Sequence, residues 1–186
     1  MSERTKWQRI ARRIRVPLGF VFAAVFLWLA RPTRQTMLAS LVLVVPGIWL
    51  RAYAAGYVRK NAELTRTGPY AHTRNPLYLG SMLIAFGFAA AAASWIIFVA
   101  LVALFLAIYL PTIRSEEEYL RAHFAGFDDY ARSVPRLLPR LTAAPTTDAS
   151  GSFSSALYLH HREYNASMGA IAIYAALAAR LLFLKR

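Results

Sequence analysis

Apolar runs separated by short basic or turn-rich stretches make up most of this chain. Their lengths suit membrane spans, which need about 20 residues each. Val16 to Ala30 is apolar and uncharged; it follows a basic leader and runs directly into Arg31-Pro32. A signal peptide would end in small residues before its cut, and Trp28-Leu29-Ala30 does not, so a first membrane helix is expected there, extended into the interface by Ile10 to Arg15. Pro32-Thr33-Arg34 makes a tight connector. Met37 to Leu50 is the second span, prolonged by Ala52 to Tyr57, with Pro46-Gly47 as a kink and Arg51 either snorkelling or facing a polar cavity. Residues 58–76 are polar and turn-rich. Leu77 to Ile113 is uncharged, too long for one span and right for two, so a helical hairpin with its break between Ala89 and Ser94 is expected. Residues 114–140 read as a short amphipathic region, Thr142 to Ser155 as a low-complexity linker, and Ala166 to Leu184 as a fifth span. The pattern predicts an all-α integral membrane bundle of about five transmembrane helices, a single domain over 1–186.

Composition supports this. Of 186 residues 58% are hydrophobic and 17% charged, against about 45–50% and 25% in soluble domains. The absence of cysteine excludes a disulfide scaffold, a thiolate metal site and a cysteine nucleophile. The net charge of +13 suits anionic lipid head groups. Nucleic acid is not an expected partner, because the basic leader carries Trp7 as its one aromatic residue.

Loop charge sets orientation. Of the 22 Lys and Arg, six precede span one, five lie from Arg51 to Arg74 and six from Arg114 to Arg162; two separate spans one and two, and three end the chain. A cytoplasmic N-terminus places the larger share inside, with segments 58–76 and 114–165 on the cytoplasmic face.

Two clusters carry candidate chemistry. Gly68-Pro-Tyr-Ala-His-Thr-Arg-Asn-Pro-Leu-Tyr-Leu-Gly80 gathers Tyr70, His72, Arg74, Asn75 and Tyr78 at the mouth of span three, with Pro76 in the helix's first turn. The orphan N–H groups there, beside Arg74, suit a carboxylate; the alternative is a capped, basic juxtamembrane loop. Arg114-Ser-Glu-Glu-Glu-Tyr-Leu120 closes span four and holds three of the nine acidic residues. Successive helical residues point about 100° apart, so Glu116, Glu117 and Glu118 cannot all face one site, although Arg114 can share a face with Glu117 or Glu118. The alternative is a solvated charge run. Val134-Pro-Arg-Leu-Leu-Pro139 reads as a structured return to the membrane surface. His72, His123, His160 and His161 show no metal-ligand spacing, so no metal is expected.

Taken in order, TRTGPYAHTRNPLYLG, a helical hairpin and RSEEEYLRAHF…VPRLLP resemble the isoprenylcysteine carboxyl methyltransferases and the related phospholipid methyltransferases. Asn75 departs from the histidine typical of the prenylcysteine enzymes and looks like the phospholipid branch. The resemblance covers about residues 50–140 and implies a methyltransferase core over about 37–140. It implies S-adenosylmethionine as cofactor, with S-adenosylhomocysteine as product, and a lipid or isoprenylcysteine-type carboxylate acceptor in the bilayer. Arg74, His72, Asn75 and the helix start at Pro76 would receive the cofactor carboxylate. Glu117 or its neighbour Glu116 would take the ammonium, and Tyr70, Tyr78, Leu137 and Leu138 would wall the adenine. Arg114, with Glu117 a catalytic candidate, would orient an anionic acceptor, and Arg51 would help hold an anionic head group. No Gly-x-Gly occurs, so a Rossmann-type cofactor site is not supported. Two alternatives stand beside this: an NADPH-dependent sterol-type membrane reductase, and a non-enzymatic small transporter or assembly protein.

Overall fold

The computed structural model describes residues 22–59, 62–145 and 151–184, so the basic leader and the first part of the expected first span lie outside the described residues. Every regular element among these residues is a helix, with no strand. Residues 22–29 form α1. The connector then stops and restarts the helix. Thr33 caps α2 (Arg34–Ala55), its side chain accepting from the Thr36 N–H while the Thr36 hydroxyl accepts from the Thr33 N–H. The Thr36 hydroxyl also donates to the Ala91 carbonyl at 3.1 Å, tying the start of α2 to the end of the following span.

That span, α3 (Pro76–Ala92), begins with proline at its first position, where no N–H is missed. It ends at Ala93, which adopts a left-handed conformation (φ +50°), and Ser94. The hairpin break therefore falls inside the expected window. The returning helix runs 29 residues from Trp95 to His123. It comprises α4 (Trp95–Leu104), a π-helical turn at Phe105–Tyr109 and α5 (Leu110–His123). Pro111 explains the widened turn: its ring cannot accommodate the normal α-helical hydrogen bond, and the Leu110 N–H reaches back to the Phe105 carbonyl. A short α6 (Phe127–Ser133), α7 (Ser155–His160) and a long α8 (Tyr164–Leu184) complete the chain.

The helices α2, α4–α5 and α8 are each long and apolar enough to cross a membrane, and α3, at 17 residues, is the shorter arm of the hairpin. Large apolar side chains such as Val42, Trp49, Phe98 and Ile171 point outward, as a lipid-solvated bundle requires. Small residues let α2 and α3 touch. A Cβ on Gly47 would sit 2.8 Å from the Gly80 carbonyl oxygen, and one on Gly80 would sit 2.6 Å from Arg51 Cγ. Backbone contact this close needs glycine on both helices. Helix α8 packs on the same pair: Ala170 meets Val44 and Phe88, and the Tyr174 hydroxyl lies 2.6 Å from Ser40 Oγ.

Candidate functional site

Both polar segments expected on one face come together at the end of the bundle where α3 starts and α5 finishes. Asn75 occupies the N-cap position of α3 but does not cap it. Its amide instead donates to Glu117 Oε1 at 3.1 Å and to the Arg136 carbonyl at 3.0 Å. The Leu77 and Tyr78 N–H groups, in the helix's first turn, are thus left without a side-chain cap.

Glu117 is the hub of this end. Its side chain is 5% exposed and is paired with Arg74 at 3.1 Å and with Arg136 at 2.8 Å. Arg74 Nη1 also donates to the Ala131 carbonyl at 2.7 Å. Arg136 arrives on a segment that returns along the loop before α3. The Arg74 N–H donates to the Pro135 carbonyl, the Arg140 N–H to the His72 carbonyl and the Ala144 N–H to the Ala71 carbonyl. The Thr73 hydroxyl reaches the Arg136 and Leu137 carbonyls, and His72 Nδ1 lies 2.9 Å from the Arg140 carbonyl. Together these bonds make residues 134–144 a strap across residues 71–75.

Beside this knot lies a cavity of about 560 Å³, within the usual range for small-molecule sites. Tyr70, Tyr78, Tyr109, Tyr119 and Tyr130 contribute aromatic wall. Tyr130 lies against Tyr70, its hydroxyl donating to the Tyr70 carbonyl at 2.8 Å. Burial, above all, raises the hydroxyl pKa of both Tyr70 and Tyr130, so each stays protonated at neutral pH. Glu116 also lines the cavity and accepts from the Tyr78 hydroxyl at 2.9 Å, and Tyr109 packs edge-on against the Tyr78 ring. Arg51 passes over Gly80 into the cavity wall. There it forms a two-pronged pair with Glu163 at 2.9 and 3.0 Å and donates to Ser81 and the Leu77 carbonyl.

The structure sorts the expected site residues. Tyr70, Arg74, Asn75, Pro76, Tyr78, Glu116 and Arg51 all line the cavity. Glu117 and His72 lie behind its wall and hold the loop. Arg114 is exposed and lines no part of it. It lies two positions from both Thr112 and Glu116, which places it about 200° around the helix from the cavity face. Leu137 and Leu138 are also outside the cavity. The strap engages the site through backbone carbonyls, and Leu138 points away, 82% exposed. Sequence reasoning, which saw in His161-Arg162-Glu163 only a stretch able to close over the cofactor, missed the pairing of Arg136 with Glu117 and of Glu163 with Arg51, and it missed Tyr109. The first two act across 19 and 112 residues, and nothing local marks either as a partner. The proline that sets the π-helical turn just before α5 was the available signal for Tyr109.

An all-helical membrane bundle with a polar, tyrosine-walled cavity at one end defines a class of membrane protein whose site sits at the bilayer boundary. Residues 33–126 match the phospholipid methyltransferase family, and the chain belongs to that family. It is 38% identical over 106 residues to the nickel-cobalt-cadmium resistance protein NccN of Alcaligenes xylosoxydans xylosoxydans, covering 57% of this chain and 49% of that protein. It is 35% identical over 106 residues to the cobalt-zinc-cadmium resistance protein CzcN of Cupriavidus metallidurans, covering 57% of this chain and 48% of the relative. The matched region thus spans about half the length of these curated relatives. No solved structure matches the chain.

Proposed function

We propose that the cavity binds S-adenosylmethionine and that the protein transfers its methyl group to a membrane lipid or a lipidated carboxylate. The observation that carries this reading is the pairing, in one cavity wall, of an uncapped helix start with a carboxylate whose partner is a neutral hydroxyl, Glu116 on Tyr78. The residues present suit the cofactor's groups. Glu116 would hold the ammonium by a charge-assisted bond, the Leu77 and Tyr78 N–H groups would receive the carboxylate, and Tyr70, Tyr119 and Tyr130 would wall the adenine. Of the two glutamates expected from sequence to take the ammonium, Glu117 is committed to two arginines, so we assign that contact to Glu116.

When bound, the cofactor supplies an electrophilic methyl group on a sulfonium. The chain's own residues position the acceptor and keep water out. Arg51, at the inner end of α2, would receive an anionic head group in place of Glu163. A carboxylate acceptor is already ionised at neutral pH and needs orientation alone. A protonated amine must first lose a proton, and the wall carboxylates Glu116 and Glu163 are the acceptors at hand. Asn75 and the phospholipid family match favour a phospholipid as acceptor over a prenylcysteine. The polar end of the bundle, with the larger share of the cations, faces the cytoplasm in this reading. The relatives named for metal resistance suggest a setting: the modified lipid would serve cells exposed to divalent metals.

Calorimetry of the purified protein with S-adenosylhomocysteine, beside NADPH, tests the site. The homocysteine adduct should bind, and Glu116→Gln should weaken it by about 10-fold or more, since a hydrogen bond to a charged group contributes about 1.5–3 kcal/mol. Binding of NADPH alone would move the protein to the reductases, and binding of neither would favour the non-enzymatic alternative.

A further inference from the structure

A membrane bundle turns apolar residues outward along its spans, yet two of the most exposed leucines here sit on a loop. Leu141 is 99% exposed and Leu138 82%. The loop is not slack. Its backbone is tied to residues 71–75 by the bonds from Arg74, Thr73, Asn75 and Arg140 described above, and the Arg140 side chain donates to the Ser133 carbonyl at 2.7 Å. The two leucines are therefore held outward by fixed backbone rather than left there by disorder.

Helix length gives the level at which they sit. The hairpin arms part at Ala93-Ser94. From there α3 climbs about 25 Å to Pro76, and the returning helix about 33 Å to Glu117, against a hydrocarbon core of about 30 Å. Pro76 and Glu117 thus mark the same boundary of the bilayer. The loop is bonded to the residues just before Pro76 and, through Arg136, to Glu117 itself, so it lies at that boundary too. Its charge is also one-sided. Arg74 and Arg136 share the single carboxylate of Glu117, and the Arg140 guanidinium is met by a neutral carbonyl.

We propose that residues 135–142 form an interfacial anchor in the leaflet beside the cavity: Leu138 and Leu141 sit below the head groups, and Arg136 and Arg140 meet anionic lipid phosphates. Rigid outward leucines flanked by surplus cations at head-group level match an anionic lipid surface. The same segment carries Arg136 onto Glu117 and a carbonyl onto Asn75, so contact with the leaflet braces the wall of the cavity. The proposal does not depend on which reaction the cavity performs.

The chain has no cysteine, which makes single spin labels direct probes of depth. The full-length protein would be labelled at Leu138→Cys, at Leu141→Cys, or at Arg132→Cys on α6, where the native side chain is 77% exposed. Each would be reconstituted in phosphatidylcholine vesicles with and without phosphatidylglycerol. Collisional relaxation by oxygen and by a water-soluble nickel chelate then reports the surroundings. Labels at 138 and 141 should be reached by oxygen more than by nickel, with nickel access falling further in the anionic vesicles, and the label at 132 should show the reverse. Labels at 138 and 141 that behave like the one at 132 would overturn the anchor. So would labels shielded from both reagents, since that result means a protein partner covers the loop. Equal depth in both vesicle types would overturn the assignment to anionic lipid.

Discussion

Adjacent residues on a helix point about 100° apart, and for Glu116 and Glu117 that angle separates a cavity wall from a buried ion pair. Removing the charge of Glu117 leaves Arg74 and Arg136 facing each other at the end of the bundle. Breaking a buried pair from one side costs about 3–5 kcal/mol. Glu117→Gln should therefore lower the thermal midpoint of the protein in detergent by several degrees. Glu116→Gln, on the cavity surface, should leave that midpoint nearly unchanged while weakening the cofactor analogue. Tyr130→Phe leaves the Tyr70 carbonyl without its donor and should cost about 1–3 kcal/mol in the same assay. The acidic cluster was visible in the sequence as a scarce set of carboxylates at a membrane boundary. Which carboxylate turns inward was not, because that depends on where the strap brings Arg136, and no local spacing encodes it. Arg114 shows the converse. Its spacing from Glu117 allowed a shared face, but the cavity uses the face of Thr112 and Glu116.

Among the elements, α2 and α3 are joined by absent side chains. Gly47→Ala would drive a methyl group into backbone, 2.8 Å from the Gly80 oxygen, and overpacking of this kind costs about 1–3 kcal/mol. Folded yield and thermal midpoint should both fall, whereas alanine at Gly169, which has open space around it, should change neither. The hairpin was legible because an uncharged stretch of two span lengths must turn once, and small residues mark the turn. The role of the C-terminal segment was not. It lies beyond the family match, and yet Glu163 pairs with Arg51 in the cavity wall while Phe153 stacks on Tyr53. Glu163→Ala should free the Arg51 guanidinium. If Arg51 receives an anionic head group, this change should alter the apparent KM for the lipid more than the affinity for S-adenosylhomocysteine; equal effects on both would assign Glu163 a purely structural part.

For the whole molecule, apolar pattern alone was enough to read a helical membrane bundle, because every span must satisfy its backbone internally and show an apolar face to lipid. Orientation rests on the basic residues. A cysteine placed at Ala93, in the hairpin turn, should react with an impermeant reagent added outside intact cells, and one at Arg132, exposed on α6, should react after the membrane is opened. Reversal of both results would invert the bundle.

Methyl transfer to a lipid acceptor at the cavity can be measured directly. Full-length protein would be supplied with methyl-labelled S-adenosylmethionine in membranes from cells that express it, and the lipids then extracted into organic solvent. Label should appear in the lipid fraction and disappear with Glu116→Gln. Label confined to water-soluble products, or lipid label that is unchanged in that variant, would contradict methyl transfer at the cavity.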